Sequence, residues 1–441
     1  MFMPGLSPAE LREIVADQRE EVMSQMSAPG LVDREVPANR LMGFLSVPNI
    51  MAVLGVRRCG KSVLSHLLLR GKAYGHVNFD DEKLAGLTKD RLNDVLEAVY
   101  RVHGKTDYLL LDEPQNVKGW ELFANRLRRT TRVIVTGSNA NMLSGELSTH
   151  LTGRYIDFTL HPFSFREYLK WAKSPASGAQ TTVEKSRVKE RLSEYLELGG
   201  FPEAYTLGKP MIRRIYGDIV TKDVLNRFKP RHFETLREMA RYLVSNSGNE
   251  MTYSKLKNIF SLKRNETSKN YVSYLRDCHL LLLLERHSPK LKEHAIAPKK
   301  VYCTDTGIVR TIGFRESQNL GCTYENAVAV ELFRRRSYFS DMGELYYWKD
   351  HQGREVDFVV KDGPSVTQLI QVAYQLDPDV RKREAGALLR ASKQYACKNL
   401  LIINGDEEGD EMVHHNGFSG KVAFIPLWKW LLTPPPGSNT T

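Results

Sequence analysis

A chain of 441 residues exceeds one ordinary domain and at ~150 residues per domain implies about three. With 41% hydrophobic and 26% charged residues its composition is that of a folded globular protein, which excludes a fibrous or low-complexity chain. The net charge of +11 favours an acidic partner such as nucleic acid, depending on where the charges fall more than on their total. No apolar run approaches the ~20 residues of a membrane span. The start, MFMPGLSPAELREIV, lacks the basic-then-apolar order of a signal peptide, so a cytoplasmic location is expected.

From the N-terminus, residues 8 to about 26 carry apolar positions at helical spacing behind an N-cap candidate, Ser7. NIMAVLG then feeds a glycine loop, GVRRCGKS at 55–62, and VLSHLLLRG continues as helix. This is the G-x-x-x-x-G-K-S pattern, in which glycines let successive backbone N–H groups converge on phosphate at a helix N-terminus. Gly55, Arg58, Cys59, Gly60, Lys61, Ser62 and Val63 form the expected nucleotide-binding stretch. Lys61 is placed to reach the β- and γ-phosphates, and the Ser62 hydroxyl to ligate magnesium.

Further hydrophobic runs at 76–80, 108–112, 132–137 and 154–160 alternate with helical stretches, predicting a parallel sheet with helices on both faces. The run YLLLD ends in Asp112, a candidate magnesium partner, followed by Glu113, placed to polarise the attacking water. After RVIVTG come Ser138 and Asn139; Asn139 fits a γ-phosphate sensor or a loop cap. Arg154 fits an arginine reaching a neighbouring subunit's γ-phosphate, or a structural ion pair. The first of these roles requires an oligomer at least transiently.

Past residue 160 the pattern is helical to about 230, with the glycine turn of YLELGGFPEAY inside it. Residues 235–305 have the order of a winged helix, three helices and a hairpin. Lys255, Lys257, Lys263, Arg264 and Lys269 there are candidate DNA contacts, with Thr267, Ser268 and Asn270 as donors; a protein-contacting face with solvated lysines fits as well. A last block from 322 to about 430 opens with YENAVAVELFRRR and continues with strands at ELYYWKD, EVDFVVK and QLIQVAY, suggesting a separate α/β domain. Arg334, Arg335 and Arg336 could line a cleft there or flank a helix C-terminus. Cys59, Cys278, Cys303, Cys322 and Cys397 have no CxxC spacing and read as reduced, mostly buried thiols.

These blocks together resemble the AAA-type ATPases of archaea and bacteria in which a P-loop domain precedes a domain of unknown function with a degenerate nuclease-like fold. The resemblance rests on GVRRCGKS, VNFDDEKL, LLLDEPQNVKGWE, VTGSNANML, LTGRYIDFTLHPFSFREYL, LGGFPEA, YENAVAVEL and REVDFVV. It implies that Arg154 is the arginine of a GR motif. Asp80, Asp81 and Gln115 fall inside shared blocks without a derivable role; Asp80 could act through magnesium-bound water or cap a turn. It also implies a PD-(D/E)xK nuclease core in which Glu325 and Asp357 match the metal-binding carboxylates. Where that pattern has E-x-K this chain has Gln371, Val372 and Ala373, so loss of cleavage is expected.

The expected architecture is α/β: an N-terminal helix and linker (1–39), a P-loop AAA-type core with parallel sheet (40–170), a helical lid (171–232), a winged helix (233–310), a small nuclease-like α/β domain (311–432) and a disordered tail (433–441). The leading expectation is an ATPase using ATP and Mg2+, associated with DNA and oligomeric. A nucleotide-gated switch acting through protein partners and a metal-dependent nuclease are the alternatives.

Overall fold

Contacts divide the chain into two units, Met1–Leu160 and His161–Thr441. The structure, a computed structural model, describes residues 6–139, 153–174, 181–288, 297–314, 320–339 and 343–434.

The first unit is built on a five-stranded sheet in the order β2-β3-β4-β1-β5. Its strands are β1 (Ile50–Leu54), β2 (Tyr74–Asn78), β3 (Tyr108–Asp112), β4 (Arg132–Gly137) and β5 (Tyr155–Thr159), and every pairing is parallel. The central strands are almost wholly buried. That is why they read in sequence as unbroken apolar runs instead of alternating ones. Helix α1 (Pro8–Met26) begins with a reciprocal capping box between Ser7 and Glu10. Its Leu11, Ile14 and Val15 enter the same core as Val95 and Val99 of α4 (Leu92–His103). Helices α2 (Ala38–Phe44), α3 (Lys61–Leu68) and α5 (Trp120–Leu127) complete the described set that matters here. The strand expected to run to Asp80 stops at Asn78, because Asp80 and Asp81 enter a turn in which the Asp81 carboxylate accepts from the Lys83 N–H.

The second unit opens with helices Phe165–Trp171, Thr182–Leu198, Pro202–Leu207 and Lys209–Asp218, the last running on into a π-helical stretch, Ile219–Leu225. The turn in LGGFPEA has a tertiary cause. Gly199 has φ +76°, and a Cβ there would collide with the carboxylate of Asp305; a Cβ on Gly200 would collide with the Phe163 carbonyl. Asp305 accepts from the N–H groups of Gly200 (2.6 Å) and Ile308 (3.1 Å), capping the helix Thr306–Ile312.

Helices Phe233–Ser245, Tyr253–Ile259 and Asn265–Asp277 alternate with β6 (Glu250–Met251) and precede β7 (Leu281–Arg286) and β8 (Lys299–Cys303). Strand β8 pairs antiparallel with both β6 and β7. A nine-stranded mixed sheet follows in the order β13-β14-β12-β11-β10-β9-β7-β8-β6. Its other strands are β9 (Glu344–Lys349), β10 (Glu355–Asp362), β11 (Ser365–Ala373), β12 (Leu400–Asn404), β13 (Gly409–His415) and β14 (Phe418–Pro426). Because β7 pairs parallel with β9 through Glu285 and Arg286, the boundary expected near residue 310 lies within one continuous sheet. Helices Leu320–Tyr338 and Pro378–Tyr395 cover it.

Candidate functional site

Strand order sets the first site. With β4 inserted between β1 and β3, the end of β4 lies between the loop that follows β1 and the acidic end of β3: Val53 aligns with Thr136, and Leu111 with Val135. The loop needs its glycines. Gly60 has φ +94°, and a Cβ on Gly55, at φ +147°, would collide with the Leu160 carbonyl. Arg58 adopts φ +66° without being glycine, a strained turn of the kind found where backbone is shaped around a ligand. Helix α3 starts at Lys61 with no side-chain cap, so its first N–H groups remain available to an anion. Cys59 is buried with its thiol against the Leu160 carbonyl (3.4 Å), and burial raises its pKa, which makes it a packing residue of the loop. Val63 and Ser62 are half-buried on the first turn of α3.

Lys61 is buried, its ammonium 3.3 Å from the Val56 carbonyl and 3.7 Å from Glu113 Oε1. Asp112 is buried too. Burial, followed by the charge of Glu113, raises its pKa above the ordinary carboxylate value, while hydroxyl bonds from Thr136 and Ser62 and the charge of Lys61 act the other way. Thr136, which sequence reasoning missed, joins the two acids: its hydroxyl donates to Asp112 Oδ1 and accepts from the Glu113 N–H at 3.1 Å. Glu113 stands at φ +49°, with Gln115 donating to its other oxygen. The Ser62 hydroxyl beside a buried carboxylate, with a lysine and an uncapped helix start nearby, fits a nucleotide phosphate with Mg2+: the oxygens are hard ligands and the cations face the anion.

Arg34, also missed, donates to the Cys59 carbonyl at 2.8 Å. Its signal was unreadable because it lies 25 residues upstream of that contact. Ser138 and Asn139 are buried directly after β4; the rest of NANML lies outside the described residues. Asp80 accepts from Asn116 (3.0 Å) and faces Arg57 of the loop (3.7 Å), while Asp81 accepts from Gln18 (2.8 Å). Both are thus tied into turn structure. Arg154 is exposed at the start of β5, its carbonyl accepting from the Ile50 N–H at 3.0 Å. The phosphate loop leaves the other end of β1, four residues on, which at ~3.3 Å per residue is about 13 Å away. Arg154 therefore lies at the opposite end of the sheet from its own loop.

In the second unit, Lys255, Lys263, Arg264 and Lys269 are exposed and Lys257 is half-buried. Thr267 is half-buried and Asn270 exposed, but Ser268 is not the donor expected from the sequence: it is fully buried on the inner face of its helix with Tyr271, Val272 and Leu275. Arg334 and Arg335 do not line a cleft. They are buried, both pair with Glu331, and they donate to the carbonyls of Pro162 and Trp430 respectively. The four described cysteines besides Cys322 are buried, and all five are free thiols.

The matched nuclease-like carboxylates do come together, around a residue that sequence reasoning missed. Lys300 of β8 is buried, its ammonium 2.8 Å from Glu325 Oε1, 2.9 Å from Asp357 Oδ1 and 2.5 Å from Glu355 Oε1. Burial works against its charge, but Asp357 and Glu325 hold its pKa well above the ordinary lysine value. Glu325 is raised to about 7, by burial first. Gln371 is spent on structure: its carbonyl accepts from the Asp357 N–H (3.1 Å) and its amide donates to Glu384 (2.5 Å). Ala373 is buried. These groups do not fit a divalent metal, since an ammonium holds the centre and the neutral amide, a weak ligand, already directs its oxygen to the Asp357 N–H. Among the described residues, no group of three or more His, Cys, Asp or Glu could hold a metal ion.

Three segments of the chain match known families. Residues 47–169 match the AAA domain family, residues 189–318 a domain of unknown function (DUF8612) and residues 320–429 another (DUF4143). An uncharacterized protein of Methanocaldococcus jannaschii, MJ1544, is 30% identical over 411 residues, 90% of this chain and 91% of its own. An uncharacterized protein of Haemophilus influenzae is 29% identical over 410 residues, 87% of this chain and 96% of its own. Among solved structures, the Walker-type ATPase PABY2304 of Pyrococcus abyssi aligns with 64% of this chain and 96% of its own at 14% identity and a TM-score of 0.43. Among the described residues no helix is long and apolar enough to cross a membrane.

Proposed function

The chain belongs to the family of Methanocaldococcus jannaschii MJ1544 and carries an AAA-type P-loop ATPase domain, and from that premise we propose that it hydrolyses ATP with Mg2+ to drive a DNA-associated process. The observation that carries the hydrolytic reading is the bonded set Ser62, Asp112, Thr136 and Glu113 around Lys61. Lys61 neutralises the terminal phosphates, and Ser62 and Asp112 would hold the metal, which when bound spreads phosphate charge. Glu113 takes the proton of the attacking water. Asn139 orients the γ-phosphate, and Arg154 serves a neighbouring copy's site. In the second unit, the order of three helices, short strand and hairpin supports a winged helix. Five cations with no ion pair to another described residue support DNA contact through it: Lys255, Lys257, Lys263, Arg264 and Lys269. The committed amide of Gln371 supports an inactive nuclease-like region beyond it.

The test is turnover and nucleotide affinity measured together, with and without single-stranded, double-stranded and branched DNA at low salt. Lys61→Ala should lose nucleotide binding, whereas Glu113→Gln should bind and not turn over. Wild-type turnover in Glu113→Gln would remove Glu113 as the base. Absence of stimulation by every DNA would replace the DNA reading with that of a nucleotide-gated switch acting on a protein partner.

A further inference from the structure

We propose that Lys300 is a built-in cation standing where a nuclease-like fold would carry a divalent metal, so that Glu325, Glu355 and Asp357, which as they stand hold no metal ion, are a carboxylate cluster closed by the chain itself and opened to a cation only when the lysine is removed. The geometry is that of coordination by a single charged centre. An ammonium has three donors and no acceptor, and here three carboxylate oxygens from two elements lie 2.5–2.9 Å from it. The carboxylates are held independently of the lysine. Glu325 also accepts from the Tyr302 hydroxyl (2.7 Å), Asp357 Oδ2 from the Val372 N–H (3.0 Å), and Glu355 pairs through its second oxygen with Lys349 (3.0 Å). Lys349 in turn meets Glu250 at 2.8 Å. Four carboxylates thus share two ammoniums, an excess of negative charge that a divalent ion would meet if the lysine were absent.

A cavity of about 430 Å³ is lined by Asn246, Asn249, Glu250, Lys349 and Glu355, so Glu355 is reached from that side while Lys300 lies behind it. Lys300 arrives from β8, whose residue 300 pairs with Glu250 of β6, whereas Asp357 and Glu355 belong to β10 and Glu325 to the helix Leu320–Tyr338. The ammonium therefore also fastens the hairpin to the sheet interior. This lock does not depend on the phosphate-loop chemistry, and neither test bears on the other.

The experiment uses the full nucleotide-free chain and Mn2+ alone, counting bound ion by EPR and following the unfolding midpoint. Wild type and Asp357→Asn should bind Mn2+ alike, with no change in midpoint. Lys300→Ala should gain one Mn2+ per chain at an affinity ~10-fold or more above wild type, with Mn2+ raising its midpoint, and Lys300→Ala/Asp357→Asn should lose both. A wild-type Mn2+ site abolished by Asp357→Asn would overturn the proposal, because a metal would then displace the lysine. A folded Lys300→Ala that gains no ion would also overturn it. If Lys300→Ala does not fold alone, recovery in Mn2+ supports the lock; failure of both Lys300→Ala and Lys300→Gln to recover in Mn2+ counts against it.

Discussion

The Thr136 hydroxyl donates to Asp112 and accepts from the Glu113 N–H, so one small side chain fixes both the Asp112 carboxylate and the Glu113 backbone. Removing it while keeping its shape isolates that role. Thr136→Val should lower kcat about 10-fold, the scale of one lost hydrogen bond to a charged group, with nucleotide affinity nearly unchanged and Thr136→Ser restoring the rate. A Thr136→Val enzyme with wild-type kcat would show that the bond only packs the strand ends. Gln115 has a similar positioning place, since its amide holds the Glu113 oxygen that does not face Lys61.

One turn and one histidine cluster carry the predictions at the scale of elements. Gly199→Ala forces a Cβ into the Asp305 carboxylate at a positive φ, and should cost ~3 kcal/mol or more, read as a fall in thermal midpoint. An unchanged midpoint would show that the LGGFPEA turn can open. In the first unit, His66 of α3, His76 of β2 and His103 at the end of α4 are held neutral by burial, His66 and His103 at pKa about 4 and His76 well below its ordinary value. The His66 and His76 rings lie 4.8 Å apart, and neither His76 ring nitrogen has a hydrogen-bond partner among the described residues. Because the folded pKa values lie below the ordinary 6.5, these groups contribute stability that is fully present above pH ~6.5 and is lost as pH falls toward about 4. Urea midpoints of the wild type should therefore drop across that window, and His76→Phe should flatten the drop. An equally steep drop in His76→Phe would place the acid sensitivity elsewhere.

For the whole molecule, placement of charge decides what can be tested. Arg154 stands at the far end of the sheet from its own phosphate loop, so Arg154→Ala should lose turnover yet regain part of it in mixed oligomers with Lys61→Ala, each copy supplying what the other lacks. No recovery would leave Arg154 as a structural arginine. Replacing Lys263, Arg264 and Lys269 by glutamine should make the salt dependence of DNA binding shallower by roughly three counterions; an unchanged slope would move the DNA surface elsewhere. Much of this was legible in the sequence. GVRRCGKS, YLLLDE and the unbroken apolar runs specify a phosphate loop, an acidic strand end and a buried parallel sheet, because each depends on residues adjacent in the chain. Ser268, expected as a donor, is buried instead, since a polar letter does not say which face of its helix meets the core. Thr136, Arg34 and Lys300 could not be found at all. Sequence by itself determined the local chemistry, a loop shaped for phosphate and an acidic strand end. Only the tertiary structure decided that β4 brings Thr136 between the two acids, and that β8 carries an ammonium among Glu325, Glu355 and Asp357, because such meetings depend on strand order and register between segments far apart in the chain.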